Sequence, residues 1–225
     1  MIHDPDYRRE LQIVYKYCVT HPKPPKEVMS LSVSVIALLM AYLLGSLSSA
    51  IVVCRLMGLP DPRGEGSGNP GTTNVLRIGG KKAAIFTLLG DSFKALIPVA
   101  IIQLLGGSVE LAAWGGFAAI MGHLFPVFFK FQGGKGVATW FGLLLGLYWP
   151  LGLLAIAIWL SMAVIFRYSS LAALTAVALV PVACFWLLPS AMLPTALMAV
   201  VIYIRHAENI SRLVAGQESK IGKKS

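Results

Sequence analysis

Apolar residues gather into stretches of membrane length, at about Leu31–Met57, Ala83–Leu105, Leu111–Phe129, Val137–Phe166, Leu171–Leu188 and Ala191–Ile204. Runs of this length and polarity predict transmembrane helices. The fourth is too long for one ordinary span, given a rise of about 1.5 Å per residue and a hydrocarbon core of about 30 Å. Its middle reads Tyr148-Trp149-Pro150, an aromatic pair followed by a helix breaker. That sequence suits an interfacial turn between two shorter helices. The expected fold class is therefore all-α, a polytopic membrane protein with seven transmembrane helices.

The polar connections set an expected orientation. Arg55, Arg63, Arg77, Lys81 and Lys82 follow the first stretch, Lys130 and Lys135 the third, and Arg167 the fifth. Arg205, Arg212, Lys220, Lys223 and Lys224 follow the last, whereas Gly106–Glu110, Tyr148–Pro150 and Pro189–Ser190 carry no basic residue. The positive-inside rule then places the N-terminus outside and the C-terminus in the cytoplasm. Reading Val137–Phe166 as one span would put Arg167 outside, so the charge pattern and the length argument agree.

Composition supports the membrane class. Of 225 residues, 56% are hydrophobic and 13% charged, against roughly 25% charged in a soluble domain. The net charge of +9 lies mainly in the short connections, where it orients the protein rather than marking a nucleic-acid surface. Cys18, Cys54 and Cys184 are far apart and lack metal-ligand or CxxC spacing, so no disulfide framework or metal site is expected. The chain divides into a polar extension (1–30), an apolar seven-span domain (31–213) and a basic cytoplasmic tail (214–225). The extension lacks the apolar core of a signal peptide. A weak helix is expected at Tyr7–Val19, and Met29 is a candidate physiological start.

Two glycine-rich segments carry the first candidate chemistry. Gly66-Ser-Gly-Asn-Pro-Gly-Thr-Thr-Asn74 lies in an expected loop over Gly58–Gly80, where Ser67, Asn69, Thr72, Thr73, Asn74 and Arg77 supply donors. Glycine lets backbone amides approach an anion, and arginine can grip phosphate oxygens bidentately. Gly133-Gly134-Lys135-Gly136 opens the next helix, where N-terminal amides and the helix dipole favour an anion. It is not a Walker A loop, because Phe129 stands where that motif needs its first glycine. Each segment alone also fits an ordinary interfacial turn. Both fall on the same expected face, and this raises their joint weight.

A third polar group, Arg205-His-Ala-Glu-Asn-Ile-Ser-Arg212, follows the last span. On a continuous helix His206 and Asn209 share a face at i,i+3, as do Arg205 and Glu208. Basic residues there could simply anchor the span, but an adjacent His and Asn are not needed for anchoring. Within the second span, Asp91 and Lys94 at i,i+3 are expected to satisfy each other. His123 reads as a packed, hydrogen-bonded histidine. A GxSxG elbow, an HExxH helix and a His followed four residues later by Asp are all missing. The site reads as one that holds anions and stabilises developing charge.

Through these residues the chain resembles the bacterial acyl-phosphate:glycerol-3-phosphate acyltransferase family, over about Ser30 to Lys220. The family's three motifs correspond to Gly66–Arg77, Gly133–Gly136 and Arg205–Leu213. The resemblance implies a multi-pass enzyme of the bacterial inner membrane with its active site on the cytoplasmic face. It would transfer a fatty acyl group from acyl phosphate to the 1-hydroxyl of sn-glycerol 3-phosphate, giving lysophosphatidate and inorganic phosphate in the first committed acylation of phospholipid synthesis. Carried over by motif, Ser67, Lys135, His206 and Asn209 are the catalytic candidates. Asn69, Thr73, Asn74, Arg77, Gly133, Gly134, Gly136 and Arg205 are the substrate-binding ones. No cofactor or metal is implied. Glycerol 3-phosphate, acyl phosphate, membrane lipid and a soluble acyl-phosphate-producing phosphate acyltransferase are the implied partners, with no nucleic acid.

Acyl phosphate is an activated mixed anhydride, so positioning and anion stabilisation can supply much of the catalysis. Two candidate bases stand open, His206 and the substrate's own phosphate. A transporter for a phosphorylated solute is the rival from another class. It would place its site near the midplane, often on broken helices in repeated halves. Here the donors cluster on one face and no repeat is visible. A lipid-binding scaffold would explain the basic connections but not the density of donors at Ser67, Asn69, Thr73 and Asn74.

Overall fold

The computed structural model describes residues 29–222. Expectations for Tyr7–Val19, Cys18, Lys223 and Lys224, and for the residues upstream of the candidate start at Met29, lie outside that range. Every regular element among the described residues is helical. A bent pair, α1 (Leu31–Gly45) and α2 (Ser49–Leu56), turns by 41° at its break. The long α3 (Thr72–Leu104) is followed by α4 (Val109–Leu124), which runs into a 3-10 turn at Val127–Phe129. Then come α5 (Val137–Leu147), α6 (Trp149–Phe166), α7 (Ser169–Leu187) and α8 (Met192–Arg205). A final α9 (Ala207–Val214) is set at 61° to the helical segment before it.

Four helices are long and apolar enough to cross a membrane, or six if each bent pair is one span, while α5 is shorter. The break between α5 and α6 falls at the expected aromatic–proline site. Tyr148 is extended and Pro150 lies in the first turn of α6, where the missing N–H costs nothing. One expectation is corrected. Helix α3 begins at Thr72, so Thr72, Thr73, Asn74 and Arg77 are helical rather than parts of a loop reaching Gly80. Hydropathy marks where lipid begins, not where a helix begins, and the polar first turns of α3 lie outside the apolar run. Gly80, at φ +73°, kinks the helix between these two parts, a conformation that glycine adopts without steric penalty.

Hydrogen bonds show which connections share an end of the bundle. Arg77 donates to Ser219 Oγ (2.7 Å), Lys135 to Asn209, Arg205 to the Gly133 carbonyl (3.1 Å) and Arg167 to the Ile221 carbonyl (3.2 Å). Near the turn between α3 and α4, Gln103 donates to the Leu147 carbonyl (3.1 Å) at the α5–α6 break. Thus the connections rich in basic residues meet at one end.

Small residues let the helices approach closely, as expected where packing rather than water drives association. Helix α1 packs along α4 with Gly45 against the Ala119 backbone and Gly122 against the backbone of Tyr42 and Ser46. Helix α3 packs along α5 with Gly142 against the Ser92 backbone. Large apolar side chains such as Leu104, Val164 and Trp186 face outward, while Asp91, Lys94 and His123 are buried. The expected pair forms, with Lys94 Nζ 2.9 Å from Asp91 Oδ1. Cys54 and Cys184 are buried free thiols.

Because a side chain at Gly122 would strike the α1 backbone, Gly122→Val is expected to abolish a monodisperse gel-filtration peak in detergent. Gly64→Ala, whose added carbon meets only ordinary contacts, is expected to retain the peak. A normal peak for Gly122→Val would refute the tight α1–α4 crossing.

Candidate active site

The first wall of the site is a loop folded by its own polar groups. Asp61 accepts from the Arg63 backbone amide (2.9 Å) and pairs with its guanidinium (2.7 Å). Asn74 clasps the loop from helix α3: its Oδ1 accepts from Ser67 N (2.9 Å), and its Nδ2 donates to the Pro62 and Glu65 carbonyls (2.9 Å each). Gly66, at φ +60°, leaves room for that clasp, since a side-chain carbon there would meet Asn74 Oδ1. Ser67 and Asn69 are thereby presented at the bundle end.

The second wall is the Gly133–Gly136 turn. Gly133 lies against the carbonyls of His123 and Leu124, and Gly134 against the His123 ring and the Pro70 carbonyl. The Gly134 amide donates to the His123 carbonyl (3.2 Å). The glycine amides were both expected to serve an anion; that of Gly134 is already occupied. The amides of Gly133, Lys135 and Gly136 have no protein partner among the described residues. Gly136, left-handed at φ +83°, caps α5, so the turn meets a helix N-terminus suited to negative charge.

The third wall comes from the break between α8 and α9. Arg205 Nε and Nη2 donate to the carbonyls of Gly134 (3.3 Å) and Gly133 (3.1 Å), and its guanidinium lies over the Phe125 ring at 5.8 Å. The break at His206 interrupts the continuous helix on which Arg205 and Glu208 were expected to share a face. Glu208 instead faces Arg212 at 3.7 Å. His206 and Asn209 are both buried.

These walls enclose a cleft of about 320 Å³ lined by Ser67, Gly68, Asn69, Gly133, Lys135, Ile204, Arg205, Ala207, Glu208 and Arg212. Its charge is dominated by Lys135, Arg205 and Arg212. Burial and the nearby Arg212 charge lower the Lys135 pKa, a shift that a bound phosphate would oppose by favouring the charged form. Lys135 donates to Asn209 Oδ1. His206 Nδ1 donates to the Ile202 carbonyl (2.8 Å), leaving Nε2 as the unprotonated nitrogen of the neutral ring. Burial pushes the His206 pKa down to about 4.

The structure thus brings Ser67, Asn69, Gly133, Lys135 and Arg205 to one cleft, with His206 and Asn209 behind it. Asn74 is committed to the loop, Thr73 lies 3.1 Å from Ser169 Oγ, and Arg77 is held by Ser219.

Sequence reasoning missed Glu218. This partly buried carboxylate accepts from Ser170 (2.7 Å), Asn209 (2.7 Å) and Arg212 (2.8 Å). Burial raises its pKa, but those hydrogen bonds and the Arg212 charge outweigh burial and hold it below the usual carboxylate range. Ile221 N also donates to the Arg167 carbonyl (2.7 Å). The 214–225 segment, expected as a simple basic tail, therefore joins the site over its described part. The available signal was that Glu218 is the single acidic residue in that segment.

Fold and cleft together define an apolar helical bundle of membrane type with a cationic, glycine-bearing cleft whose groups suit a phosphate. The glycerol-3-phosphate acyltransferase family profile matches residues 35–216, and the chain belongs to that family. It is 56% identical over 186 residues to a glycerol-3-phosphate acyltransferase of Methylococcus capsulatus, covering 82% of this chain and 94% of that one. It is 55% identical to a Pseudomonas putida protein of the same description, over 80% of this chain and 95% of that one. The crystal structure of PlsY (YgiH), an integral membrane glycerol 3-phosphate acyltransferase, in its glycerol 3-phosphate form superposes with a TM-score of 0.80. The two are 35% identical, covering 84% of this chain and 96% of that one.

Glu218→Gln is expected to lower the melting temperature at neutral pH. A carboxylate with a depressed folded pKa stabilises above its unfolded value and loses that contribution as pH falls through the folded value. The melting gap between parent and Glu218→Gln should therefore be constant above about pH 5 and narrow at lower pH. A gap that widens on acidification would contradict this role.

Proposed function

We propose that the cleft catalyses direct transfer of a fatty acyl group from acyl phosphate to the 1-hydroxyl of sn-glycerol 3-phosphate, releasing lysophosphatidate and inorganic phosphate. The observation that carries this reading is the convergence of two glycine-rich segments and the cationic Arg205–Arg212 segment at the end of an apolar bundle, with Ile204 as an apolar wall of the same cleft. Cations and free amides suit the two phosphates. Ile204, 67% exposed on the outside of α8, suits an acyl chain entering from lipid.

The hydroxyl attacks the acyl carbonyl, a tetrahedral oxyanion forms, and its collapse breaks the bond to phosphate. Lys135 would stabilise the charge growing on the leaving phosphate, and the Gly133 and Lys135 amides are placed to assist. Arg205 would hold the turn that presents those amides. Ser67 and Asn69 would orient glycerol 3-phosphate from the opposite wall, and Asn209 would fix the Lys135 ammonium.

The proton of the attacking hydroxyl goes to the phosphate of glycerol 3-phosphate itself. A histidine with a pKa of about 4 is a weak acceptor near neutral pH, whereas general bases work best with a pKa near the operating pH. His206, bonded through Nδ1 to Ile202, is better suited to holding the α8–α9 break. Asp91 and Lys94 are charges within a span, as a transporter's site would use, but they pair with each other at 2.9 Å, which supports the enzyme reading over a transporter.

The same reading takes α1 with α2, α3, α4, α5, α6, α7 and α8 as seven crossings of a bacterial inner membrane. The N-terminus then lies outside, with the cleft and C-terminus cytoplasmic. The meeting of Arg77, Lys135, Arg167 and Arg205 at one end supports this orientation. On that face the site would be open to soluble glycerol 3-phosphate and to the enzyme that makes acyl phosphate.

Purified protein with palmitoyl phosphate and glycerol 3-phosphate should release phosphate and form lysophosphatidate. Failure with every acyl-phosphate chain length would refute the proposal. Lys135→Met should reduce kcat at least 100-fold without loss of insertion. His206→Gln should lose less than about 100-fold in kcat, short of the roughly 10²–10⁴ that a general base supplies. A larger loss at saturating substrate would assign the base to His206.

A further inference from the structure

Behind the glycine turn, three polar side chains are buried in the apolar bundle, and none of them is among the residues that line the cleft. Asp91 and Lys94 of α3 are 1% and 7% exposed, and His123 of α4 is 6% exposed. Lys94 Nζ lies 2.9 Å from Asp91 Oδ1, and His123 Nδ1 lies 3.6 Å from the same oxygen. Lys94 also donates to the Leu47 carbonyl (3.1 Å), which sits at the break between α1 and α2. The other edge of the His123 ring fills the space where a side chain on Gly134 would project, and the His123 carbonyl accepts the Gly134 amide.

Ionisable groups in a membrane interior are costly and usually tied to function. A simple i,i+3 ion pair would not require a third polar residue, a broken span and the glycine turn to meet at one point. We propose that Asp91, Lys94 and His123 form a positioning unit for the reaction, setting the height of the Gly133–Lys135 turn relative to α1, α3 and α4. Lys94 anchors the unit to the broken first span. Asp91 orients the His123 ring, and the ring and carbonyl of His123 hold Gly134 from behind while Arg205 holds it from the front. A displaced turn would carry Lys135 and the adjacent amides off the reacting phosphate, and errors of about 1 Å in such groups can cost about 100-fold in rate.

This inference rests on the acyltransferase reading, and the experiment separates the two. The parent enzyme is assayed first with palmitoyl phosphate and glycerol 3-phosphate, and inactivity there overturns the reading as a whole. With the parent active, His123→Leu is expected to lower kcat per folded molecule at least tenfold, with both KM values within threefold. His123→Asn, whose amide can face Asp91 in place of Nδ1, is expected to restore kcat to within threefold of the parent. A purely structural role would lower the yield of monodisperse protein and leave kcat per folded molecule unchanged. A kcat for His123→Leu within twofold of the parent overturns the proposal.

Should His123→Leu not assemble, the paired change Asp91→Asn with Lys94→Gln carries the same test, because it removes both charges together and strands neither. A tenfold loss of kcat in that folded variant supports the positioning unit. Normal turnover overturns it, and so does failure of both variants to assemble, which would make the unit a folding element alone.

Discussion

Arg205 grips the carbonyls of Gly133 and Gly134, residues 72 and 71 positions earlier in the chain, and the organisation of the site depends on that grip. A glycine turn has little conformational preference of its own. Once its carbonyls are taken by a fixed guanidinium, the Gly133 and Lys135 amides are left without protein partners. The planar arginine fork suits two neighbouring acceptors, which a lysine ammonium would not hold in the same geometry. The stop of helix α8 at His206 serves the same site, because beyond the bend Asn209 meets Lys135, and Asn209 and Arg212 meet Glu218.

The bundle supplies the rigidity for this arrangement. Close backbone contacts at Gly45, Gly122 and Gly142 leave little freedom for α1, α3, α4 and α5 to slide. Two polar side chains of α3 reach outside their own helix, Lys94 to the Leu47 carbonyl at the α1–α2 break and Ser92 to the Ala138 carbonyl of α5. Groups without a second helix to pair with collect at the bundle end. There Glu218 ties the segment after α9 back to α7 and to Arg212. A short carboxylate-centred network thus borders the site, next to the contact of Arg77 with Ser219.

Much of this was legible in the sequence. Apolar run lengths located the helices, and Tyr148-Trp149-Pro150 marked the α5–α6 break because proline and interfacial aromatics have direct physical consequences there. Glycine segments and nearby donors marked the cleft. The sequence did not reveal that Asn74 serves the loop, since its donors and acceptor fit a ligand and a backbone clasp equally well. Nor did it show the start of α3 at Thr72, because the polar first turns carry no hydropathic signal. The break at His206 was hidden for a different reason: no residue in Arg205–Arg212 is a glycine or proline that would mark it. Glu218 was obscured by the basic residues around it.

The central claim is that Arg205 shapes the glycine turn into a phosphate receptor, and an affinity measurement tests it most directly. Titration calorimetry of palmitoyl phosphate binding, with glycerol 3-phosphate absent, to the parent and to Arg205→Lys, both verified as monodisperse, compares a fork with a point charge at unchanged net charge. The account predicts at least a tenfold weaker Kd for Arg205→Lys. A Kd within twofold of the parent would contradict it.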